Sequence, residues 1–317
     1  MGFKDKLKYV FSIDTKSTNR IIIYILGIRI RHLKPSLKDR KQEYVKLNCP
    51  VSEIPKAEGF LRKIQLANLK TMRIVDKLCK ENDIQYWIDF GNLLGAVRHK
   101  GFIPWDDDID ISMVRDDYEK FINLFKDEIP GYEDLYLNFS NNSNNKCCIQ
   151  VAHKKLKTVM VDIFPYDYYY KKLDDNGKTK LSKRIRKFTL NKLDRFLYRF
   201  FPKKTNEFMR EKFIKIRDKK ILKGNTVDKT IKPAIFMAMD YPHKHKNLVF
   251  DYETIFPLKT INYEGYDLPC VNNYDKYLTS IFGKYMELPN DCYPKHNMAD
   301  NLKNEEALLD EFINQAF

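Results

Sequence analysis

The sequence lacks a long apolar run. The longest near its start, Ile21 to Ile28, is eight residues, well short of the ~20 that a membrane-spanning helix needs. It sits between Arg20 and Arg29, with no small-residue cleavage pattern after it, so it does not read as a secretory signal. Met1-Gly2 begins like a myristoylation site, but Lys6 stands where Ser or Thr is required. Paired cysteines are also missing. None of the six forms a C-x-x-C pair, which argues against a zinc site. The count is even, but a chain this long is no small disulfide scaffold, and reduced thiols in a cytoplasmic protein are the simpler reading. Glycine is scarce, at 11, against 20 Tyr and 21 Phe. Such a composition argues against long disorder, which needs few aromatics and low hydrophobicity.

Acids are the minority charge. The sequence has 43 Asp and Glu against 57 Lys and Arg, a net charge of +14. A basic protein attracts something anionic: nucleic acid, an anionic membrane face or a phosphorylated substrate. The excess of Lys is equally the compositional bias of an AT-rich genome. With 317 residues, 43% of them apolar, the chain can build one large core or two small ones.

Four parts follow along the chain. Residues 1–55 are basic and mixed, an N-terminal arm with one short β-like run at 21–30. Residues 56–170 begin with a helical period from Ala57 to Glu81, carried by Phe60, Ile64, Leu66, Leu69, Met72, Ile74, Val75 and Leu78. A β-prone run, Tyr86 to Phe90, then ends at Gly91. A short helix is expected at Asn92–Arg98, a loop at Gly101–Pro104 and a half-buried strand at Asp108–Val114. Asp116 and Asp117 are placed to cap a helix at Tyr118–Phe125. A polar loop falls at 138–146, and Val159–Phe164 reads as a strand closed by Pro165. Residues 171–230 change character: 18 Lys and Arg against four acids lie between Lys178 and Lys223, with apolar residues at helical spacing. This block reads as a basic helical insertion, forming a solvated face, a membrane-surface helix or a nucleic-acid patch. Residues 231–317 read as the C-terminal part of the same domain as 56–170, with short strands and aromatic turns returning from Phe256 on and a helix at 303–316.

The chemistry concentrates in Gly91 to Ile111, GNLLGAVRHKGFIPWDDDIDI. On a strand, side chains at i and i+2 share a face. Asp108 and Asp110 therefore project together, with Ile109 and Ile111 on the buried side. Two carboxylates on one face repel unless a cation sits between them, and a hard divalent cation with oxygen ligands fits. A third carboxylate, Asp162, lies on a strand reading VMVDIF. Three carboxylates converging from neighbouring strands are what metal-assisted phosphoryl or nucleotidyl transfer requires.

This segment resembles the LicD family, whose members carry a G-x-L-L-G-A-x-R pattern followed by G-x-I-P-W-D-D-D-I-D. The match runs from Gly91 to Asp110. Further similarity appears at Val161–Pro165, Phe256–Leu258, Tyr263-Glu264-Gly265-Tyr266, Tyr277-Leu278 and Gly283-Lys284-Tyr285, and His296 follows Pro294 as a late His does in the family. The resemblance covers roughly residues 60–300. One departure is Asn92, where Thr is usual; both can donate a hydrogen bond to a phosphate oxygen.

The resemblance implies an α/β (α+β) fold with a nucleotidyltransferase-type core, a small mixed sheet flanked by helices. It implies transfer of a phospho-alcohol, foremost phosphocholine from CDP-choline, to a sugar hydroxyl of a glycan or lipid-linked oligosaccharide. Fukutin-type transferases, which use CDP-ribitol, are similar in this motif. The ligands of Mg²⁺, or of Mn²⁺ in its place, would be Asp108, Asp110 and Asp162, with Asp162 alternatively the base for the acceptor hydroxyl. On the substrate side stand Gly91, Asn92, Arg98, Lys100, Trp105 and His296. Arg98 reads equally as a salt-bridge partner of the acidic loop, and Trp105 as a core residue. His153, the His243/His245 pair and the Tyr166–Tyr170 cluster read first as surface, solvated loop and packing. The expected place of work is the cytoplasm, with peripheral contact at an anionic membrane face. Nucleic acid is the least favoured partner. The competing readings are transfer of NMP from an NTP, with pyrophosphate released, and a non-catalytic glycan- or nucleotide-binding module.

Overall fold

In the computed structural model, the described residues are 11–14, 20–25, 28–33, 51, 54–139, 149–187, 214–228, 230–238, 248–288 and 305–315. Strands β1 (Phe11–Asp14), β2 (Arg20–Ile25) and β3 (Ile28–Leu33) form a three-stranded antiparallel sheet in that order. This sheet lies in a compact unit separate from the one that carries residues 55–287. The single β-like run expected at 21–30 is thus parts of two strands, paired from Ile25↔Ile28 outward.

The larger unit opens with α1 (Gly59–Glu81), whose apolar stripe faces the main core. β4 is only Trp87–Ile88, and α2 (Phe90–His99) follows at once. The expected strand stops early because the Asp89 carboxylate accepts the Phe90 N–H at 2.6 Å and starts the helix. β5 (Ile109–Val114) leads directly into α3 (Arg115–Leu124). Asp116 and Asp117 lie inside the first turn of α3, where negative charge suits the helix dipole, rather than capping it from outside. β6 (Leu135–Asn138), β7 (Ile149–His153) and β8 (Met160–Tyr169) come next, then α4 (Asp175–Lys187). The second half of the unit holds β9 (Ala234–Met237), β10 (Val249–Phe250), the short α5 (Tyr252–Ile255), β11 (Lys259–Tyr263), β12 (Tyr266–Cys270), α6 (Tyr274–Phe282) and α7 (Glu306–Asn314).

Seven strands make one mixed sheet around β8, as expected for an α+β core. β5 runs parallel to β8 along one edge. β7 and β9 share the other edge, β7 along Met160–Ile163 and β9 along Tyr166–Tyr169, both antiparallel. This explains why Pro165 does not end the strand. A residue's N–H and C=O point to the same edge, and the Pro165 carbonyl accepts from Ala238 on the β9 side at 2.9 Å. Its missing N–H therefore falls where β7 has ended and β9 begins, so no ladder bond is lost. The core forms where β4, β5 and β8 meet α1, α2 and α3, with Trp87, Ile109, Ile111, Ile163 and Tyr118 all buried. Each such side chain contributes roughly 1.5–3 kcal/mol by leaving water. A smaller cluster joins Leu181 and Ile185 of α4 and Ile221 to Tyr169, Ala234 and Phe236. Among the described residues, no helix is long and apolar enough to cross a membrane.

Candidate active site

Register builds the site. Asp110 on β5 lies opposite Asp162 on β8, and on the far edge of β8 Asp162 lies opposite Gln150 on β7. Gln150 in turn lies opposite Asn138 on β6. One polar row thus crosses four strands. Asp108, two residues before Asp110, adds a third carboxylate, and one oxygen from each of Asp108, Asp110 and Asp162 lies within 4.8 Å of the others. A second group, Asp106, Asp107 and Asp108, meets the same distance and shares Asp108. Ile109 and Ile111 are buried on the opposite face, so the alternation turns the acids outward together. Both groups offer only carboxylate oxygens, the donor set of a hard divalent cation such as Mg²⁺ or Mn²⁺.

Neutral amides hold this acidic segment in place, and sequence reasoning missed most of them. Gln65 and Asn68 on α1 are fully buried. Gln65 donates to the Asp106 carbonyl at 2.8 Å, and Asn68 donates to the Asp107 carbonyl at 2.7 Å while accepting the Met160 N–H at 2.8 Å. Asn92 on α2 accepts the Asp110 N–H at 2.6 Å and donates to the Asp108 carbonyl at 3.1 Å. Gln150 donates to Asp162 Oδ1 at 2.6 Å and accepts from Asn138 at 3.1 Å. The available signal was two polar residues, 65 and 68, interrupting the apolar stripe of an amphipathic helix.

Beneath the acids lies Asp89, also missed. It is fully buried. Its carboxylate accepts from Ser112 at 2.5 Å, from Tyr166 at 3.3 Å, from the Phe90 N–H and from the Tyr277 hydroxyl. Burial pushes its pKa up, and these four donors oppose that rise. The Asp89 N–H also donates to the Asp110 carbonyl at 2.9 Å. Phe90, next to it, opens α2 at φ +40°, a conformation that is strained for an aromatic residue.

The loop before the acids is pinned by the β11–β12 turn. Glu264 receives Arg62 through two bonds, at 3.1 and 2.8 Å, and Lys56 at 2.7 Å. It also accepts the Phe102 N–H at 3.2 Å, and its own N–H donates to the Lys100 carbonyl at 3.0 Å. Burial pushes the Glu264 pKa up, but Arg62 and Lys56 outweigh it and hold the carboxyl below its usual range. The approach is close enough to demand glycine. A Cβ on Gly101 would stand 2.3 Å from Glu264 Oε1, and one on Gly95 would stand 2.3 Å from the Gly101 carbonyl oxygen.

The residues read as substrate-binding are dispersed in character. Gly91 lies in the first turn of α2 rather than ending a strand, and a Cβ there would meet Asp106 Oδ2 at 2.8 Å. Arg98 is buried, and its guanidinium donates to the carbonyls of Tyr285 at 2.9 Å and Glu287 at 3.3 Å and to His99 Nε2 at 3.0 Å. Burial, then Arg98, lowers His99 to about 4. Lys100 is exposed and left-handed at φ 59°. Trp105 is half-buried, with its ring 6.0 Å from that of His99. His153 is buried rather than on the surface, because its Nδ1 accepts the N–H groups of Lys155 and Leu156 and its ring packs on Phe312. Tyr166 and Tyr169 are buried packing residues. His296, His243, His245, residues 140–148 and residues 188–213 of the basic block lie outside the described residues.

Comparison with known proteins gives the class first: residues 83–196 match the domain model described as LicD/FKTN/FKRP, nucleotidyltransferase domain. Similarity to individual proteins then extends the match. The chain is 30% identical over 271 residues to the lipopolysaccharide cholinephosphotransferase LicD of Haemophilus influenzae, covering 74% of this chain and 96% of that protein. It is 33% identical over 114 residues to an uncharacterized protein of Rickettsia typhi, covering 33% of this chain and 36% of that one. It is 40% identical over 48 residues to the human ribitol 5-phosphate transferase FKRP, 15% of this chain and 10% of that protein. The chain belongs to the LicD family.

Proposed function

We propose that this protein is a phosphotransferase that moves a phospho-alcohol, phosphocholine from CDP-choline before all others, onto a sugar hydroxyl of a cell-surface glycan of the lipopolysaccharide, teichoic acid or capsule type. The observation that carries this reading is the meeting of Asp108, Asp110 and Asp162 oxygens within 4.8 Å at the head of the parallel strand pair. The similarity to a cholinephosphotransferase along nearly its whole length supports the transferred group.

A CDP-alcohol is a pyrophosphate diester. The acceptor oxygen forms a bond to the phosphorus that bears the alcohol, the bridging P–O bond breaks, CMP leaves with the electron pair, and the hydroxyl proton passes to a base. Asp108 and Asp110 would hold Mg²⁺ or Mn²⁺, with Asp162 as the third ligand or as that base. The cation, when bound, neutralises charge on the transferring phosphoryl group and on the leaving phosphate. Lys100, exposed after α2, supplies positive charge to the donor. Trp105 offers a ring face to the base or to the quaternary ammonium. Contact with an anionic membrane face through the basic 171–230 segment would keep the enzyme beside a lipid-linked acceptor, at about 1 kcal/mol per Lys or Arg near the surface.

The test is product identity. Purified protein is incubated with Mg²⁺ and a panel of CDP-alcohols (choline, ethanolamine, glycerol, ribitol), with and without a crude glycan acceptor. Acceptor-dependent CMP from one donor, absent in D108A/D110A, is the expected result. Pyrophosphate released from an NTP, with no CMP from any donor, would replace this reading with nucleotidyl transfer.

A further inference from the structure

We infer that Asn92 is a positioning residue that fixes the backbone of Asp108 and Asp110, and not a ligand of the donor phosphate. The inference rests on the proposed role of those two acids as cation ligands. An Asn side chain has two N–H donors and one carbonyl acceptor. Both donors are engaged, one with the Asp108 carbonyl at 3.1 Å and one with the Tyr263 hydroxyl at 2.9 Å. The acceptor takes the Asp110 N–H at 2.6 Å. The residue is 2% exposed, so no N–H remains to meet a phosphate.

The surrounding bonds turn this contact into a frame. The Asn92 N–H donates to the Asp89 carbonyl at 3.0 Å, and the Asp89 N–H donates to the Asp110 carbonyl at 2.9 Å. Asp110 is therefore gripped on its N–H by Asn92 and on its carbonyl by Asp89. Asp108, one pleat away, is gripped on its carbonyl. The two carboxylates inherit their separation from this frame rather than from the cation. Asn92 also does what a Thr cannot. A hydroxyl has one donor, so it can accept from Asp110 and donate to one partner only. The second amide proton ties in Tyr263, and with it the β11–β12 hairpin whose turn clamps the preceding loop.

Three full-length proteins decide the matter: wild type, N92A and N92T. Two quantities are read on each: hydrogen exchange at the Asp110 amide without metal, and Mn²⁺ affinity by calorimetry. The split between kcat and donor KM is added for every variant that turns over. Positioning predicts exchange at Asp110 about tenfold faster in N92A and Mn²⁺ affinity about 10–100-fold weaker. It predicts a fall in kcat rather than a rise in donor KM, and N92T between N92A and wild type on each readout. Wild-type exchange and Mn²⁺ affinity in N92A, with donor KM raised, would overturn the inference and return Asn92 to the phosphate. If wild type itself takes up no Mn²⁺, the cation reading fails, and the exchange rate at Asp110 still decides for or against Asn92. If N92A does not fold, the same decision falls to N92T, with faster exchange for the inference and unchanged exchange against it.

Discussion

Asp110 and Asp162 face each other in register across the parallel strands β5 and β8, and Asp108 brings a third carboxylate oxygen to within 4.8 Å of both. A cation that binds this arrangement and not the unfolded chain must stabilise the fold by mass action. At a concentration 100 times its dissociation constant, the gain is about 2.7 kcal/mol, a few degrees in melting temperature for a chain of this size. Thermal melts with rising MgCl₂ or MnCl₂ should show that shift in wild type and none in D108A/D110A. Parallel shifts in both proteins would place the cation elsewhere.

Gln150 should matter through Asp162. Its amide donates to Asp162 Oδ1 at 2.6 Å, which fixes the carboxylate's rotation. Q150L should lower transfer activity about 10–100-fold while the far-ultraviolet circular dichroism stays unchanged. Activity within twofold of wild type would show that Asp162 needs no such hold.

Two glycines should tolerate nothing larger. G95A drives a methyl group against the Gly101 carbonyl, a backbone atom that cannot step aside, and should cost about 2–4 kcal/mol in urea unfolding. G101A meets the Glu264 side chain instead. It should cost somewhat less, about 1–3 kcal/mol, and should loosen the Arg62 pair.

Glu264 should give stability a pH signature. Its folded pKa lies below its usual value of 4.5, so its contribution is fully present above that value and is lost as pH falls through the folded pKa. E264Q should be less stable than wild type at pH 7, by about 2–3 kcal/mol, and the gap should begin to narrow as pH falls below 4.5. A gap that does not change with pH at all would mean that Glu264 acts by packing and not by charge.

How much of this was legible in the sequence follows from which interactions are local. The shared face of Asp108 and Asp110 depends on strand alternation, which sequence shows directly, whereas the mixed sheet with flanking helices was implied by the family resemblance. Asp162 could be paired with them because one short apolar strand carried one acid. The extent of β8 could not be read, since Pro165 is harmless only where two partner strands exchange places along one edge. Asp89 and Gln150 were hidden, and Gln65 and Asn68 showed only as polar breaks in an apolar stripe. Each has side-chain partners 12 to 188 positions away, such as Gln150 with Asp162 or Tyr277 with Asp89, which no local pattern reveals. The Tyr263–Tyr266 segment was noticed only as a resemblance; its physical work, holding Gly101 and Phe102 through Glu264, required the fold.

The most direct test of the account follows the phosphorus. CDP-choline labelled with ³²P at the choline-bearing phosphate is incubated with the protein, Mg²⁺ and an acceptor glycan, beside D110A. Phospho-alcohol transfer predicts label in the glycan, unlabelled CMP in equal amount, and neither with D110A. Glycan without label, or labelling that D110A leaves intact, would contradict it.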